Sequence, residues 1–199
     1  MLKIIGKATS INVRKVLWTC VELGLPFERE EWAEQHAALN PNRMVPVLVD
    51  ADFVLWESNA ICRYLCNRDG GQALLPLDAR ERALVEQWMD WQATELNNAW
   101  RYAFMALVRH SPAHGDPALV AASVDGWNRH MGLLDAQLGT TGAWVTGSGF
   151  TLADVVLGLS ANRWLMTPMN RPDYPHLTSW LERLGQREGF RLHGRNGIP

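Results

Sequence analysis

The chain has 199 residues, of which 47% are hydrophobic and 20% are charged, and its formal net charge is -2. This is the balance of an ordinary globular protein rather than a disordered one. The charge offers no basic field for nucleic acid or anionic lipid, and no apolar run approaches the roughly 20 residues of a membrane span. We therefore expect no nucleic-acid or membrane partner. The short, charged segment from Met1 to Gly6 does not look like an export signal, so we expect a cytoplasmic location.

The three cysteines, Cys20, Cys62 and Cys66, form neither a disulfide framework nor a CxxC redox motif. We expect three reduced thiols, with Cys20 in the core on the apolar face of its helix. His110 and His114 are four residues apart, but a proline separates them and no acidic or cysteine partner is near. We therefore expect no metal site.

The first 68 residues alternate between strand and helix patterns. A helical crossover between the first two strands makes them parallel, and two short apolar runs around a polar tripeptide predict an antiparallel hairpin. In chain order the predicted elements are a strand at 2–6, a helix at 13–21 stopped by Gly24, a strand at 27–32, a weak helix at 33–39, hairpin strands at 47–49 and 53–55, and a helix capped by Ser58. These elements predict a mixed four-stranded sheet with helices.

After a loop-like stretch the pattern is helical throughout. The predicted helices run from a cap at Asp78 to about Leu107, from Pro117 to Leu138 with Gly139 as the stop, from Thr151 with Asp154 as a capping box, and from about Pro175. We therefore predict a two-domain α+β protein. Its N-terminal domain spans residues 1–69, a linker spans 70–78, and an all-α domain spans 79–199.

The segment from Ser10 to Arg14 lies at the turn from the first strand into the first helix. Helix N-termini carry unpaired N–H groups and a partial positive charge, so they stabilise anions. A thiolate placed there would be favoured, with the Ser10 hydroxyl donating a hydrogen bond to it. Taken alone, this segment is explained more simply if Ser10 or Asn12 only caps the helix.

Two further segments suit a peptide ligand. A cis bond between Val45 and Pro46 would expose the backbone N–H and C=O of Val45, although only about 5–6% of X–Pro bonds are cis, so the residues alone favour trans. Glu57 and Ser58 at a helix start offer a carboxylate, a hydroxyl and free N–H groups to an amino-acid head group. Capping is again the simpler explanation of Ser58 alone.

Together these segments resemble the cytosolic-type glutathione transferases, and the resemblance covers nearly the whole chain. It is strongest to bacterial members related to the theta and nu classes, with a Ser-x-Asn active-site motif. The matching pieces, in family order, are Ser10-Ile11-Asn12-Val13, Glu22-Leu23-Gly24-Leu25-Pro26-Phe27, Asn40-Pro41-Asn42, Val45-Pro46-Val47-Leu48, Leu55-Trp56-Glu57-Ser58-Asn59-Ala60-Ile61 and Phe150-Thr151-Leu152-Ala153-Asp154.

The resemblance implies a thioredoxin-like domain followed by an α-helical domain, usually in a homodimer, with glutathione as co-substrate and no permanently bound cofactor. It implies that Pro46 is cis and that the backbone of Val45 pairs with the cysteinyl part of glutathione. Glu57-Ser58 would hold the γ-glutamyl end. The Ser10 hydroxyl would lie beside the sulfur, with the Asn12 amide close by.

The chain departs from the family pattern before the proline, where Arg43 and Met44 replace a frequent Gly and Lys. The segment between Trp32 and Asn40 also looks shorter than in close relatives, which often carry residues there that contact the glycyl end of glutathione. Arg43 or His36 is the candidate for that contact, and otherwise the site is more open and binds glutathione weakly.

Tyr102, Phe104 and Trp164 are our candidates for an apolar pocket that takes the second substrate. Aromatic residues at helical spacing more often belong to a core or a dimer interface.

The chemistry that follows is attack of the glutathione sulfur on a small electrophile, a detoxification reaction. A free thiol has a pKa of about 8.5, and lowering it by two units requires roughly 2.7 kcal/mol of preferential thiolate stabilisation. A charge-assisted hydrogen bond from Ser10 and a helix N-terminus are about enough. Two alternatives remain open: glutathione-dependent reduction of disulfides or peroxides, and a non-catalytic protein of this fold that binds glutathione or a partner.

Overall fold

A mixed four-stranded sheet and two helices make up the first 68 residues of the computed structural model, which describes residues 1–199. The strand order is β2-β1-β3-β4; β1 pairs with β2 in parallel and with β3 in antiparallel, and β3 and β4 form a hairpin. The elements are β1 (Leu2–Ile5), α1 (Ile11–Glu22), β2 (Phe27–Glu30), β3 (Val47–Asp50), β4 (Phe53–Trp56) and α2 (Ser58–Arg68). The predicted sheet and its parallel first pair are confirmed. A short 3₁₀ turn, Glu34–Leu39, replaces the predicted weak helix.

The named elements after α2 are all helices, as predicted. The helices are α3 (Ala79–Trp91), α4 (Asn97–Leu107), α5 (Pro117–Thr141), α6 (Leu152–Met166), α7 (Pro175–Leu184) and α8 (Glu188–His193). Asp78 caps α3 as predicted, accepting hydrogen bonds from the N–H groups of Arg80 and Glu81 at 3.0 Å. A π-helical segment, Gln92–Leu96, separates α3 from α4, so the single long helix predicted there is interrupted. The short α8 was not predicted.

Helix α1 lies between the two halves of the chain and packs against β1 and α2 on one side and α6 and α8 on the other. Trp18 of α1 is fully buried, and its ring lies 5.2 Å from that of Phe190 in α8. Two glycines make room for this indole: a Cβ at Gly189 would lie 2.1 Å from Trp18, and one at Gly158 would lie 3.1 Å from it. The position of α1 relative to the helices is therefore fixed by close packing.

Two predicted helix boundaries are wrong. Helix α2 begins at Ser58 itself, since β4 ends at Trp56 and the chain turns at Glu57, which has a φ of 74°. Ser58 is therefore the first residue of the helix and not its cap. Helix α5 does not stop at Gly139 but continues to Thr141, and Gly142, with a φ of 78°, is its C-cap. Gly139 lies within the helix, where a Cβ would come within 2.9 Å of the His176 ring, so it serves close packing.

The capping box of α6 is confirmed and is fully buried. The Asp154 carboxylate accepts hydrogen bonds from the N–H groups of Thr151 and Val145 at 3.0 Å and from the Trp180 indole at 2.8 Å. Burial raises the pKa of Asp154 to about 6. This carboxylate joins the start of α6 to the preceding loop and to α7.

All three cysteines are buried and unpaired, and Cys20 belongs to the core, as predicted. Burial raises the pKa of the Cys20 thiol to about 12 and that of the Cys62 thiol to about 11. Neither thiol is therefore a ready nucleophile at neutral pH.

Residues 69–78 contain no helix or strand, and we propose that the boundary between the two domains lies there. One continuous core runs through both halves, from Leu2 to Phe190. None of the helices combines the length and the apolar character that crossing a membrane requires.

Candidate active site

Two cavities adjoin the N-terminus of α1, and Asn12 lines both of them. The first has a volume of about 450 Å³ and is lined by Lys7, Ser10, Asn12, Glu31, Trp32, Arg43, Met44 and Val45. The second has a volume of about 330 Å³ and is lined by Asn12, Lys15, Glu57, Ser58, Asn59, Ala60, Arg63, Asp90, Ala93 and Asn97. The three sequence segments singled out above, which are far apart along the chain, therefore meet around one helix end.

Ser10 occupies the N-cap position of α1 with an extended backbone, and its side chain makes no capping hydrogen bond. The explanation that Ser10 only caps the helix is therefore not supported. Its hydroxyl is half-buried at the first cavity, beside N–H groups of the first helical turn that have no intrahelical acceptor. This arrangement can hold an anion, with the hydroxyl as an additional donor.

The Val45–Pro46 peptide bond is cis, as the family resemblance implies, whereas the residues alone favoured trans. Pro46 is buried, and Val45 lies against the turn between β1 and α1. A Cβ at Gly6 of that turn would lie 2.9 Å from the Val45 side chain and 2.5 Å from Val13. The side chain of Asn40 supports the loop from the other side by donating a hydrogen bond to the Met44 carbonyl at 2.8 Å. Val45 is thereby held at the wall of the first cavity.

The second cavity combines groups that suit an α-amino acid. Ser58 is buried at the start of α2, next to the exposed Glu57 carboxylate. Lys15 lies beneath them: it is 2% exposed, and its ammonium donates hydrogen bonds to Gln92 at 2.7 Å and to Asn59 at 3.4 Å. Burial lowers the pKa of Lys15 to about 8. The cavity therefore offers a carboxylate to an ammonium group, and a hydroxyl, a helix N-terminus and a buried cation to a carboxylate.

Of the two candidates for the glycyl contact, the structure brings only Arg43 to the first cavity. Arg43 is exposed, has a φ of 52°, and forms an ion pair with Glu34 at 3.0 Å. His36 is buried, and both its ring nitrogens are engaged: Nδ1 accepts from the Ala33 N–H at 3.0 Å and Nε2 lies 3.1 Å from the Glu30 carboxylate. His36 is therefore not placed to contact a ligand.

The lining residues that were not predicted from the sequence include Lys7, Trp32 and Lys15. Lys7 is exposed and adds a second cation to the cavity that Arg43 lines. The sequence gives almost no indication that Lys15 is buried, because a lysine in an amphipathic helix ordinarily points to solvent. Its burial results from packing of α1 against residues more than 70 positions away.

None of the three aromatic residues proposed for the second-substrate pocket lines either cavity. Tyr102 packs on the His114 ring at 4.9 Å, and Trp164 packs on the Tyr174 ring at 5.8 Å. Phe104 is buried, with the Arg163 guanidinium 4.1 Å from its ring centre. Tyr102 and Phe104 are two residues apart on α4 and therefore point in different directions, so the three side chains do not form one wall.

Comparison with known proteins assigns the two halves of the chain to one class. Residues 9–68 match the family model of the glutathione S-transferase N-terminal domain, and residues 117–183 match that of the glutathione S-transferase C-terminal domain.

Two relatives are similar over almost the whole chain. The glutathione S-transferase GstB of Escherichia coli K12 is 36% identical, with 96% of each chain covered. The crystal structure of the theta-class glutathione S-transferase from Xanthomonas axonopodis pv. citri with glutathione bound is 34% identical and superposes with a TM-score of 0.91, covering 100% of this chain and 99% of that one. The chain belongs to the glutathione S-transferase family, which confirms the resemblance to bacterial, theta-like members.

Proposed function

We propose that the protein joins the sulfur of glutathione to small electrophiles, with Ser10 stabilising the thiolate. The observation that carries this proposal is the Ser10 side chain, which makes no capping hydrogen bond at the N-terminus of α1 and lines a cavity that Val45 also lines. Membership of the family favours conjugation over the two alternatives, disulfide or peroxide reduction and non-catalytic binding.

The charges around the two cavities match those of glutathione, which carries one ammonium and two carboxylates. The γ-glutamyl end would lie in the second cavity, with its ammonium near Glu57 and its carboxylate near Ser58 and the first turn of α2. The cysteinyl part would pair with the backbone of Val45. The glycyl carboxylate would lie near Arg43 and Lys7 in the first cavity.

Catalysis would then consist of thiolate stabilisation and positioning. The thiol proton leaves for solvent, and the thiolate accepts a hydrogen bond from Ser10 and the attraction of the α1 N-terminus, with the Asn12 amide as a second donor. The sulfur attacks the electrophilic carbon, a C–S bond forms, and the leaving group departs with its electron pair. Glutathione serves as co-substrate, so the chemistry requires no permanently bound cofactor.

We further propose a homodimer that detoxifies electrophiles in the cytoplasm. Apolar side chains exposed on the single chain support the dimer: Phe53 and Val54 on β4 and Leu84 on α3 are between 36% and 50% exposed. A second copy of the chain covering these side chains would bury apolar surface. Sedimentation equilibrium of the wild type and of Phe53→Ser would test the dimer, which the substitution is expected to weaken.

Steady-state conjugation of 1-chloro-2,4-dinitrobenzene tests the proposed function and site together. Ser58→Ala is expected to raise the KM for glutathione about tenfold with little change in kcat, because Ser58 contacts a part of glutathione that does not react. The exposed Ser148, which lines neither cavity, provides the control, and Ser148→Ala should leave both constants unchanged. Absence of any rate above the uncatalysed reaction would contradict the function. An unchanged KM in Ser58→Ala would contradict the site.

A further inference from the structure

The lining of the second cavity contains two opposite charges that have no ion-pair partner in the protein. Its charged residues are Lys15, Glu57, Arg63 and Asp90. Arg63 and Asp90 neutralise each other, with a guanidinium nitrogen 2.7 Å from a carboxylate oxygen. Lys15 and Glu57 belong to none of the ion pairs. One cation and one anion therefore remain unpaired around a cavity of about 330 Å³.

Both halves of the chain hold the ammonium of Lys15 in place. It donates hydrogen bonds to the side-chain oxygen of Gln92, in the π-helical segment, at 2.7 Å, and to that of Asn59, in α2, at 3.4 Å. The Gln92 amide in turn donates to Asn97, another lining residue, at 2.8 Å. These partners are neutral, and an ammonium group has three N–H donors. Two contacts therefore leave one N–H and the positive charge without a partner.

A buried cation of this kind destabilises the fold. Lys15 is 2% exposed, and although burial lowers its pKa to about 8, the side chain keeps its proton at pH 7. A buried charge without a counter-ion is strongly unfavourable, and an apolar side chain of similar length would avoid this cost. The amide contacts account for the position of the ammonium and not for its charge. A ligand that brings the missing negative charge gives the charge a function.

The two unpaired charges flank the start of α2. Glu57 turns the chain into this helix, and Ser58 is its first residue. The N–H groups of a first helical turn lack intrahelical acceptors and favour an anion, so they reinforce the cation. Because Lys15 and Glu57 do not pair with each other, a group can lie between them. A zwitterionic α-amino acid matches this arrangement, since its carboxylate and its ammonium are joined to one carbon and can face the two charges together.

We propose that Lys15 is the counter-charge for the α-carboxylate of the γ-glutamyl residue, so that the protein selects thiols that carry a free α-amino-acid head group. The inference rests on the proposed function, because it defines the thiol substrate of that same site. Lys15 contacts a part of glutathione that does not react, and it takes no proton from the sulfur. It therefore acts on the binding of the thiol substrate, and no bond is made or broken at this end of the molecule.

Two unreactive tripeptides that differ by one carboxylate test the role of Lys15. S-Methylglutathione has the α-carboxylate, and S-methyl-(4-aminobutanoyl)cysteinylglycine lacks it and keeps the ammonium. Isothermal titration calorimetry at pH 7 measures both Kd values. The wild type is expected to bind S-methylglutathione about 30-fold more tightly. Lys15→Met should weaken the binding of S-methylglutathione about tenfold and should not weaken that of the second tripeptide, because the lost charge faces only the carboxylate.

Two further variants separate the charge from the structure around it. Lys15→Gln retains an N–H donor for Gln92 and lacks the charge, so it should reduce the ratio of the two Kd values as Lys15→Met does. Lys3→Met, at a lysine of β1 that lines neither cavity, should keep the wild-type ratio.

The Kd ratios also define what would refute the inference. Equal weakening of both tripeptides in Lys15→Met would assign Lys15 a purely structural role. Equal Kd values for the two tripeptides in the wild type would refute the inference without any variant. Conjugation of 1-chloro-2,4-dinitrobenzene is measured separately: its absence would contradict the proposed function, and the Kd ratios would still decide the role of Lys15.

Discussion

The buried ammonium of Lys15 makes the stability of the protein depend on pH in a calculable way. Lys15 is 2% exposed and has amide oxygens as its hydrogen-bond partners, and the ionisable groups that influence its charge are Cys62, Arg163 and Glu57. Burial is the largest influence and lowers the pKa of Lys15 from 10.5 to about 8. Replacement by methionine, which has a similar length and no charge, removes this titration.

The sign follows from proton binding in the two states. Between pH 8 and pH 10.5 the unfolded chain keeps the Lys15 proton and the folded protein does not, so stability rises with pH in this window. The destabilisation caused by the buried charge is absent above pH 10.5, grows as the pH falls, and is fully present below pH 8. At pH 7 the charged side chain costs roughly 3 kcal/mol, and roughly 2 kcal/mol of that cost is relieved by pH 9.5.

Urea unfolding, followed by tryptophan fluorescence at pH 7 and pH 9.5, measures this effect. From the lower to the higher pH, the free energy of unfolding of the wild type should gain roughly 2 kcal/mol relative to that of Lys15→Met. The variant also leaves the Gln92 oxygen without its donor, but that cost is the same at both pH values. Lys7→Met, at an exposed lysine, should follow the wild type. Parallel pH dependence in the wild type and Lys15→Met would refute the reasoning.

Three further predictions concern stability and glutathione binding. Asp154→Ala should lower the free energy of unfolding by about 3 kcal/mol, because it leaves several buried donors unpaired. Asp78→Ala, at an exposed helix cap, should lower it by only about 1 kcal/mol. Equal losses for the two variants in urea unfolding would contradict this. Burial and the charge of Arg14 lower the pKa of His193 to about 4. As the pH falls from 6.5 through 4, the unfolded chain binds the His193 proton before the folded protein does, so the free energy of unfolding decreases. It should decrease less in His193→Gln, and the same acid dependence in the wild type and the variant would contradict this. Arg43→Gln should raise the Kd for glutathione about threefold to tenfold in a fluorescence titration. Glu34→Gln, which changes the ion-pair partner of Arg43, should not raise it. An unchanged Kd in Arg43→Gln would show that Arg43 does not contact the glycyl carboxylate.

The elements that could be predicted from the sequence are those with local signals. The sheet follows from short apolar runs separated by turn residues, and the starts of α3 and α6 follow from the Asp78 and Asp154 caps. The errors arose where packing decides. Gly139 reads as a helix stop, but it is a contact point for the His176 ring, and the π-helical segment at Gln92–Leu96 has no pattern of its own.

The same distinction applies to the candidate site. Ser10, Val45 and the Glu57-Ser58 pair adjoin the ends of predicted elements, so their convergence could be anticipated. The burial of Lys15 and of Arg14 could not be predicted, because contacts of Arg14 reach residues more than 180 positions away. A buried cation has the same sequence signature as an exposed one until the tertiary structure is known.

The central claim, that Ser10 stabilises the glutathione thiolate, is tested most directly by an ultraviolet pH titration of the complex. In the wild type the thiolate band should appear with a midpoint about two units below the 8.5 of a free thiol. Ser10→Ala should move the midpoint up by at least one unit, while Thr9→Ala, at the neighbouring exposed hydroxyl, should leave it unchanged. The same midpoint in the wild type and Ser10→Ala, with glutathione still bound, would contradict the account.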